Sequence, residues 1–344
     1  MRHATLLLAL AFSTALSAQR PTVERLSLEV RGDYTREDID GHKNRATSGI
    51  HGKYFNLCLD GSLTKQFTYS YRQRLNRSST DASFFDATDW LFLDYHPDDH
   101  WTFSAGKVVA AIGGYEYDAP PIDLYFCSEF WNNIPCYQWG ASVSRRFSAN
   151  DMLRAQVCQS PFRSHFKAGG THTVDTYGYN LIWYGTHGPW STMWSANMME
   201  LQEGRFISYL ALGNKLRLGK QVSLQLDYMN RAAAHQTYFF RDCMVMGQLS
   251  YRPSEKFNLF AKACYDVNNT DNAEDLCVMA GTELTRFGGG VEYYPLGNRD
   301  LRLHAVYSYT TGTNANPAGA LHDRQSTANV GLTWRLNIIQ NSKF

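Results

Sequence analysis

The chain has 344 residues, with 33 Lys and Arg against 32 Asp and Glu, for a formal net charge of +1. That balance leaves no basic or acidic tail, and no nucleic-acid partner is expected. Aromatics reach 14%, led by 21 Tyr and 19 Phe, yet mean hydropathy is negative; a soluble core this aromatic would bring more Leu, Ile and Val, whereas a wall with one face on lipid and the other on water has this profile.

The first residues read as an export signal. Arg2 and His3 precede an apolar run from Ala4 to Ala15, and small residues follow at Ser17 and Ala18. The run is too short to span a bilayer and fits a cleaved segment, expected as 1–18 with the mature chain at 19–344. The seven cysteines cannot all pair within one chain. Cys127 and Cys136 bracket the tip of a long loop and are spaced for a disulfide in an oxidising compartment; the alternative is that all seven are small wall residues. No metal ion or cofactor is expected.

From Glu24 onward the sequence alternates with period two in segments of about ten residues, the length a tilted strand needs to cross a membrane. Leu26, Leu28 and Val30 open the series. Phe67, Tyr69 and Tyr71 mark the third segment, Trp101, Phe103 and Ala105 the fifth, and Tyr137, Trp139, Ala141 and Val143 the sixth. The last carries Val330, Leu332, Trp334 and Leu336, and the total is about sixteen. Tight turns such as Asp60-Gly61-Ser62, Pro97-Asp98-Asp99, Gly219-Lys220 and Leu296-Gly297-Asn298 alternate with longer polar connections along the whole chain. The predicted fold is therefore all-β: a transmembrane antiparallel barrel with short turns on the periplasmic side and long connections outside. Phe344 supplies the terminal aromatic common in outer-membrane barrels.

The third outer connection is the longest irregular stretch, expected at 108–135. Six aromatics (Tyr115, Tyr117, Tyr125, Phe126, Phe130 and Trp131) argue that it is ordered and buried. It is expected to fold into the barrel and narrow it. Apolar alternate positions face lipid, so their neighbours face the lumen. On that count Arg72, Arg74, Arg146, Arg154, Lys215, Lys262 and Arg286 form a basic inner wall. From Val108 to Ser144 there is no Lys or Arg, and the loop carries Glu116, Asp118, Asp123 and Glu129. Acidic residues are thus expected to face a basic wall across a constriction, a field that sorts solutes by charge.

The stretch WTFSAGKVVAAIGGYEYDAPPIDLYF resembles the phosphate-selective porin O and P family, Bacteroidetes-type outer-membrane porins. Gly106-Lys107, Gly113-Gly114, Glu116 and Asp123 carry the resemblance, with the restart at Trp139-Gly140-Ala141 and the earlier FNLCLDGSLTKQFTYSYRQRL. It implies a sixteen-stranded outer-membrane channel, a homotrimer, with the third loop folded in as its constriction. Phosphate-selective members line that constriction with arginines and lysines; here the matching loop is acidic. The expected function is passive diffusion of small hydrophilic solutes through a porin, with anion preference as the secondary expectation, and with membrane lipid and small solutes or anions as partners. Two alternatives stay open: an outer-membrane barrel enzyme of lipase or deacylase type, for which the histidines are scattered singly over different loops, and an exported soluble β-rich binding protein.

Overall fold

The structure, a computed structural model, describes residues 21–77, 84–162, 167–168, 171–172, 175–202, 204–233 and 239–341. The expected export segment 1–18 and the terminal Phe344 lie outside the described residues.

Sixteen long strands form one antiparallel meander that closes on itself. They are β1 Thr22–Ile39, β2 Gly49–Ser62, β3 Phe67–Arg74, β4 Thr88–Tyr95, β5 Trp101–Val109, β6 Tyr137–Arg146, β7 Asp151–Gln159 and β8 Tyr177–His187. The second half is β9 Trp190–Gln202, β10 Arg205–Leu218, β11 Val222–Ala233, β12 Asp242–Ser254, β13 Phe257–Asn268, β14 Glu283–Tyr293, β15 Leu301–Thr313 and β16 Arg324–Gln340. Closure comes from β16 pairing with β1, Leu28 opposite Leu336 and Tyr34 opposite Val330. Each strand thus has a partner on both sides, which removes the open edges that would otherwise leave backbone groups unpaired in lipid.

The alternation has the expected physical outcome. Val157, Leu181, Leu226, Leu249 and Val330 point outward and are exposed, while their neighbours Gln156, Asn180, Asp227 and Asn329 point inward and are buried. Aromatics gather near the short-turn end of the outer face, where Phe67 stacks on Tyr95 with ring centres 4.7 Å apart and Phe257 on Tyr293 at 4.9 Å. No helix among the described residues is long and apolar enough to cross a membrane.

Two expectations need correction, and one open alternative is decided. Gly61 and Ser62 are strand, not turn: β2 runs through them and the turn is 63–66, with Leu63 N–H donating to Phe67 O. The third connection begins later than expected, because Val108 and Val109 pair with Gln138 and Tyr137. The alternation breaks there because a lysine, Lys107, occupies an outward position; it is buried, and its Nζ donates to Phe85 O at 2.5 Å. Finally, Cys127 and Cys136 are not joined, and all seven cysteines are free thiols. The loop tip is spread along the inner wall rather than pinched together, so its two ends hold separate contacts: Cys136 O accepts from Ala110 N–H, while Phe126 O, beside Cys127, accepts from Lys262 Nζ.

The barrel also holds an apolar core on its inner side, a feature the polar-in rule does not anticipate. Met199, Leu201, Ile207, Tyr209, Met229, Met244 and Met246 point inward from β9 to β12 and are buried. They pack with Ala110, Ile112, Tyr117, Phe130 and Ile134 of the third connection. Methionine's flexible side chain fills an irregular gap of this kind well.

Candidate functional site

The third connection, 110–136, contains two short helices, α1 (Tyr115–Asp118) and α2 (Glu129–Asn133), and a 3-10 turn at Pro121–Asp123. Its path follows from its backbone hydrogen bonds. Ala111 N–H donates to Gln156 Oε1 at 2.7 Å, and Ala111 O accepts from Asn197 Nδ2 at 2.8 Å. Gly113 N–H donates to Ser195 Oγ at 2.8 Å, and Glu116 N–H to Asp227 Oδ2 at 2.7 Å. Farther on, Arg31 Nη1 donates to Ile122 O and Leu124 O, and Arg302 Nη2 to Ile122 O. The returning half is held by Asp266, which accepts from Glu129 N–H and Phe130 N–H at the start of α2. Wall strands β7, β9, β11, β13, β15 and β1 thus each supply inward side chains that satisfy loop backbone, as buried peptide groups require.

Gly113 and Gly114 permit this crossing. A Cβ on Gly113 would lie 2.5 Å from Met193 O, and Gly114 takes a φ of 110°. Opposite them Gly213 leaves the gap: its own Cβ would come within 2.7 Å of Gly114 Cα. Only glycine allows backbone to meet backbone this closely.

The loop's acids have three different environments. Glu116 is buried and meets Lys262 Nζ at 2.7 Å, and its carboxylate also accepts from Ser128 N–H and Ser128 Oγ. Burial pushes its carboxyl up, but the Lys262 charge and these hydrogen bonds outweigh it and hold it below the ordinary value. Asp123 meets both Arg302 Nη1 and Arg335 Nη2 at 2.7 Å; the two guanidiniums likewise overcome burial and lower it. Asp118 is exposed to the lumen with no ion pair among the described residues, and burial of its surroundings raises it. Glu129 is buried without a cation: Oε1 accepts from Asn133 Nδ2 and Asn314 Nδ2, Oε2 has no partner, and burial raises it. So Glu116 and Asp123 touch their cations directly, where charges held apart across a gap were expected, and their charge goes into fixing the loop.

The predicted basic wall divides in the same way. Arg72 and Arg74 share Asp89, at 2.8 and 2.7 Å, and Arg72 also lies 3.8 Å above the Trp90 ring. Lys262 is committed to Glu116. Arg154 donates to Ser144 Oγ, Arg286 to Ser308 Oγ while lying 5.5 Å from the Phe126 ring, and Arg146 sits exposed at the short-turn mouth beside Glu24 and Asp98. Lys215 reaches a cavity of 670 Å³ beneath the loop. That cavity is lined by Tyr115, Asp118 and Tyr125 from the loop and by Lys215, Arg217, Lys220, Arg252 and Arg299 from the wall. These five cations form no ion pairs among the described residues, which leaves their charge facing the cavity.

Parity alone puts Arg31, Arg302, Arg335, Asp227 and Asp266 on the lumen side. Their role as anchors for the loop has no sequence signal, because 179 residues separate Asp123 from Arg302. Ser195, Gln156 and Asn197 carry none either: small polar residues at inward positions look like ordinary lumen lining.

The family model of phosphate-selective porin O and P matches residues 25–237. No curated protein sequence matches the chain. Among solved structures, the chain is similar to an anion-selective porin from Comamonas acidovorans, with a TM-score of 0.64, 11% identity, and 92% of this chain and 100% of that one covered. The outer membrane channel DcaP of Acinetobacter baumannii gives a TM-score of 0.65 at 12% identity, covering 92% and 98%. OmpT of Vibrio cholerae gives 0.60 at 13%, covering 93% and 99%. At such identities the likeness is one of fold.

Proposed function

Since the chain belongs to the phosphate-selective porin O and P family, and is an outer-membrane porin that lets small hydrophilic solutes diffuse, we propose that its third outer connection sets the width of the passage and that anions pass preferentially. One observation carries the anion preference. Once the ion pairs are subtracted, the cavity beneath the loop keeps five cations (Lys215, Arg217, Lys220, Arg252 and Arg299) against the exposed loop carboxylate of Asp118 and one carboxylate left over because Asp123 and Glu292 share Arg302. Low-dielectric walls focus that field, raise the local anion concentration and lower the entry barrier. The Comamonas acidovorans porin of similar fold is anion-selective, in agreement with this reading. The constriction reading is supported by the many wall side chains that satisfy loop backbone. The acids Glu116, Asp118, Asp123 and Glu129 belong to it as anchors or lining; of the wall cations Lys262 anchors the loop and Lys215 faces the cavity, while Arg72, Arg74, Arg146, Arg154 and Arg286 belong to the basic lumen wall around it. A homotrimer in the outer membrane, with the short turns in the periplasm, completes the proposal.

The test is a planar-bilayer measurement of reversal potential in a salt gradient. The expected sign is that of anion preference, weakened in Lys215→Gln and Arg252→Gln. A cation-selective reversal potential would sink the charge argument while leaving the porin assignment intact.

A further inference from the structure

The outward face of the barrel also has a cavity. On β6 to β9 small residues sit among larger ones: Ala141 lies opposite Val157, Ala155 opposite both Val143 and Leu181, and Leu181 opposite Ala196. The missing side-chain bulk leaves a groove of 790 Å³ whose flanks, Val157, Tyr179, Leu181 and Met198, are nearly half exposed. Two residues below Val143 on the same strand is Arg145, also outward, opposite Trp101 and Leu153. Its guanidinium lies 5.1 Å from the Trp101 ring and 5.0 Å from the Phe147 ring, and it forms no ion pair among the described residues. A cation on the lipid side of a barrel wall is costly unless it reaches the headgroup layer and meets an anion there. The two rings hold this one at the short-turn edge, where headgroups lie, and cation–π attraction fixes its direction. At ~3.4 Å per strand residue, Ala141 lies about 14 Å up the strand from Arg145. That is roughly half of the ~25 Å apolar band of such barrels, the reach of one acyl chain.

We propose that this face is a specific seat for one phospholipid of the periplasmic leaflet, with its phosphate on Arg145 and an acyl chain laid over Ala141, Ala155 and Ala196. The charge decides the occupant: a groove lined by apolar side chains, with an uncompensated guanidinium two residues beyond its Val143 end, matches a molecule that is apolar along its length and anionic at one end. The seat rests on the membrane-barrel reading of the chain, whose own failure would look different: a chain in the soluble fraction that carries no lipid in any variant.

The experiment is native mass spectrometry of the folded protein in mild detergent after reconstitution in vesicles of phosphatidylethanolamine and phosphatidylglycerol. Wild-type protein is expected to retain one phospholipid per chain. Arg145→Gln and, separately, Ala155→Leu are expected to weaken retention about tenfold. Arg299→Gln removes a cation at the same end of the barrel but from the inner cavity, and should retain lipid as wild type does. Ala196→Val replaces Ala155→Leu if the larger side chain prevents folding, judged by heat-modifiable gel migration. Retention at the wild-type level in Arg145→Gln or in the groove variant would overturn the seat, as would loss in Arg299→Gln of the same size, which would mean general electrostatic adhesion. A groove variant that shifts the oligomer distribution but not lipid retention would also overturn it, and would assign the face to a second copy of the chain.

Discussion

Lys262 and Glu116 are both buried, and each is the reason the other stays charged. Replacing Lys262 by Met is therefore expected to cost about 3–5 kcal/mol, because it strands the carboxylate without its cation. Lys262→Met with Glu116→Gln should recover most of that loss. Urea unfolding of the detergent-folded barrel, followed by tryptophan fluorescence, measures both; an unrecovered double variant would mean that the pair does not act as a unit. The pH dependence at this scale has a definite sign. The carboxyls of Glu116 and Asp123 titrate below their ordinary 4.5 and 3.8, so their pairing is complete above those values and is lost as pH falls through the lowered ones. Glu129 is raised and takes its proton first, which eases its burial instead of loosening the loop. Channel current is expected to grow noisier as pH falls below about 4, where both pairs are lost; noise unchanged between about pH 5 and about pH 3 would contradict the assignment. Residue parity was legible in the sequence, since lipid on one face enforces it. The partner of each charge was not, because that depends on where a loop crosses a barrel.

The third connection is an element whose order comes from outside itself. Its helices are of four and five residues, too short to persist alone, and Asp266 on β13 supplies the acceptors for the first two N–H groups of α2. Asp266→Ala is expected to cost roughly 1–3 kcal/mol by leaving those groups buried and unsatisfied, and to broaden the single-channel current distribution. Deleting Tyr115–Trp131 is expected to raise conductance; an unchanged value would mean the passage runs elsewhere. The existence and order of this element could be read from its aromatics. The apolar inner wall it packs on could not: Met229, Met244 and Met246 occupy lumen positions, and an apolar residue at a lumen position looks like noise until the loop that covers it is known. The strand boundary at Val109 is not legible for a related reason, since Lys107 interrupts the outward pattern while the backbone pairing continues.

At the scale of the whole molecule, a net charge of +1 hides an uneven distribution. Acids are spent on anchoring, and the cavity beneath the loop keeps the surplus cations, so the selectivity of the channel should fall with salt as screening shortens. Anion preference measured near 0.1 M salt is expected to shrink markedly near 1 M; a preference that does not depend on ionic strength would point to binding by hydrogen bonds instead. The barrel fold itself, with its strand number, the alternation of short and long connections, and closure, was legible because each strand independently repeats the same lipid-facing pattern. One feature of the loop's path also bears on how the molecule assembles. Arg31 on β1, Arg302 on β15 and Arg335 on β16 all grip the segment from Ile122 to Leu124. β1 and β16 are the first and last strands of the chain, and their meeting completes the cylinder. A strap from the chain's middle therefore staples the seam between its ends from within, and contacts so distant in sequence form late. Closing the cylinder and seating the strap become one kinetic event: weakening the staple, as in Arg302→Gln with Arg335→Gln, should slow the appearance of the compact, heat-modifiable species even where the finished barrel is intact.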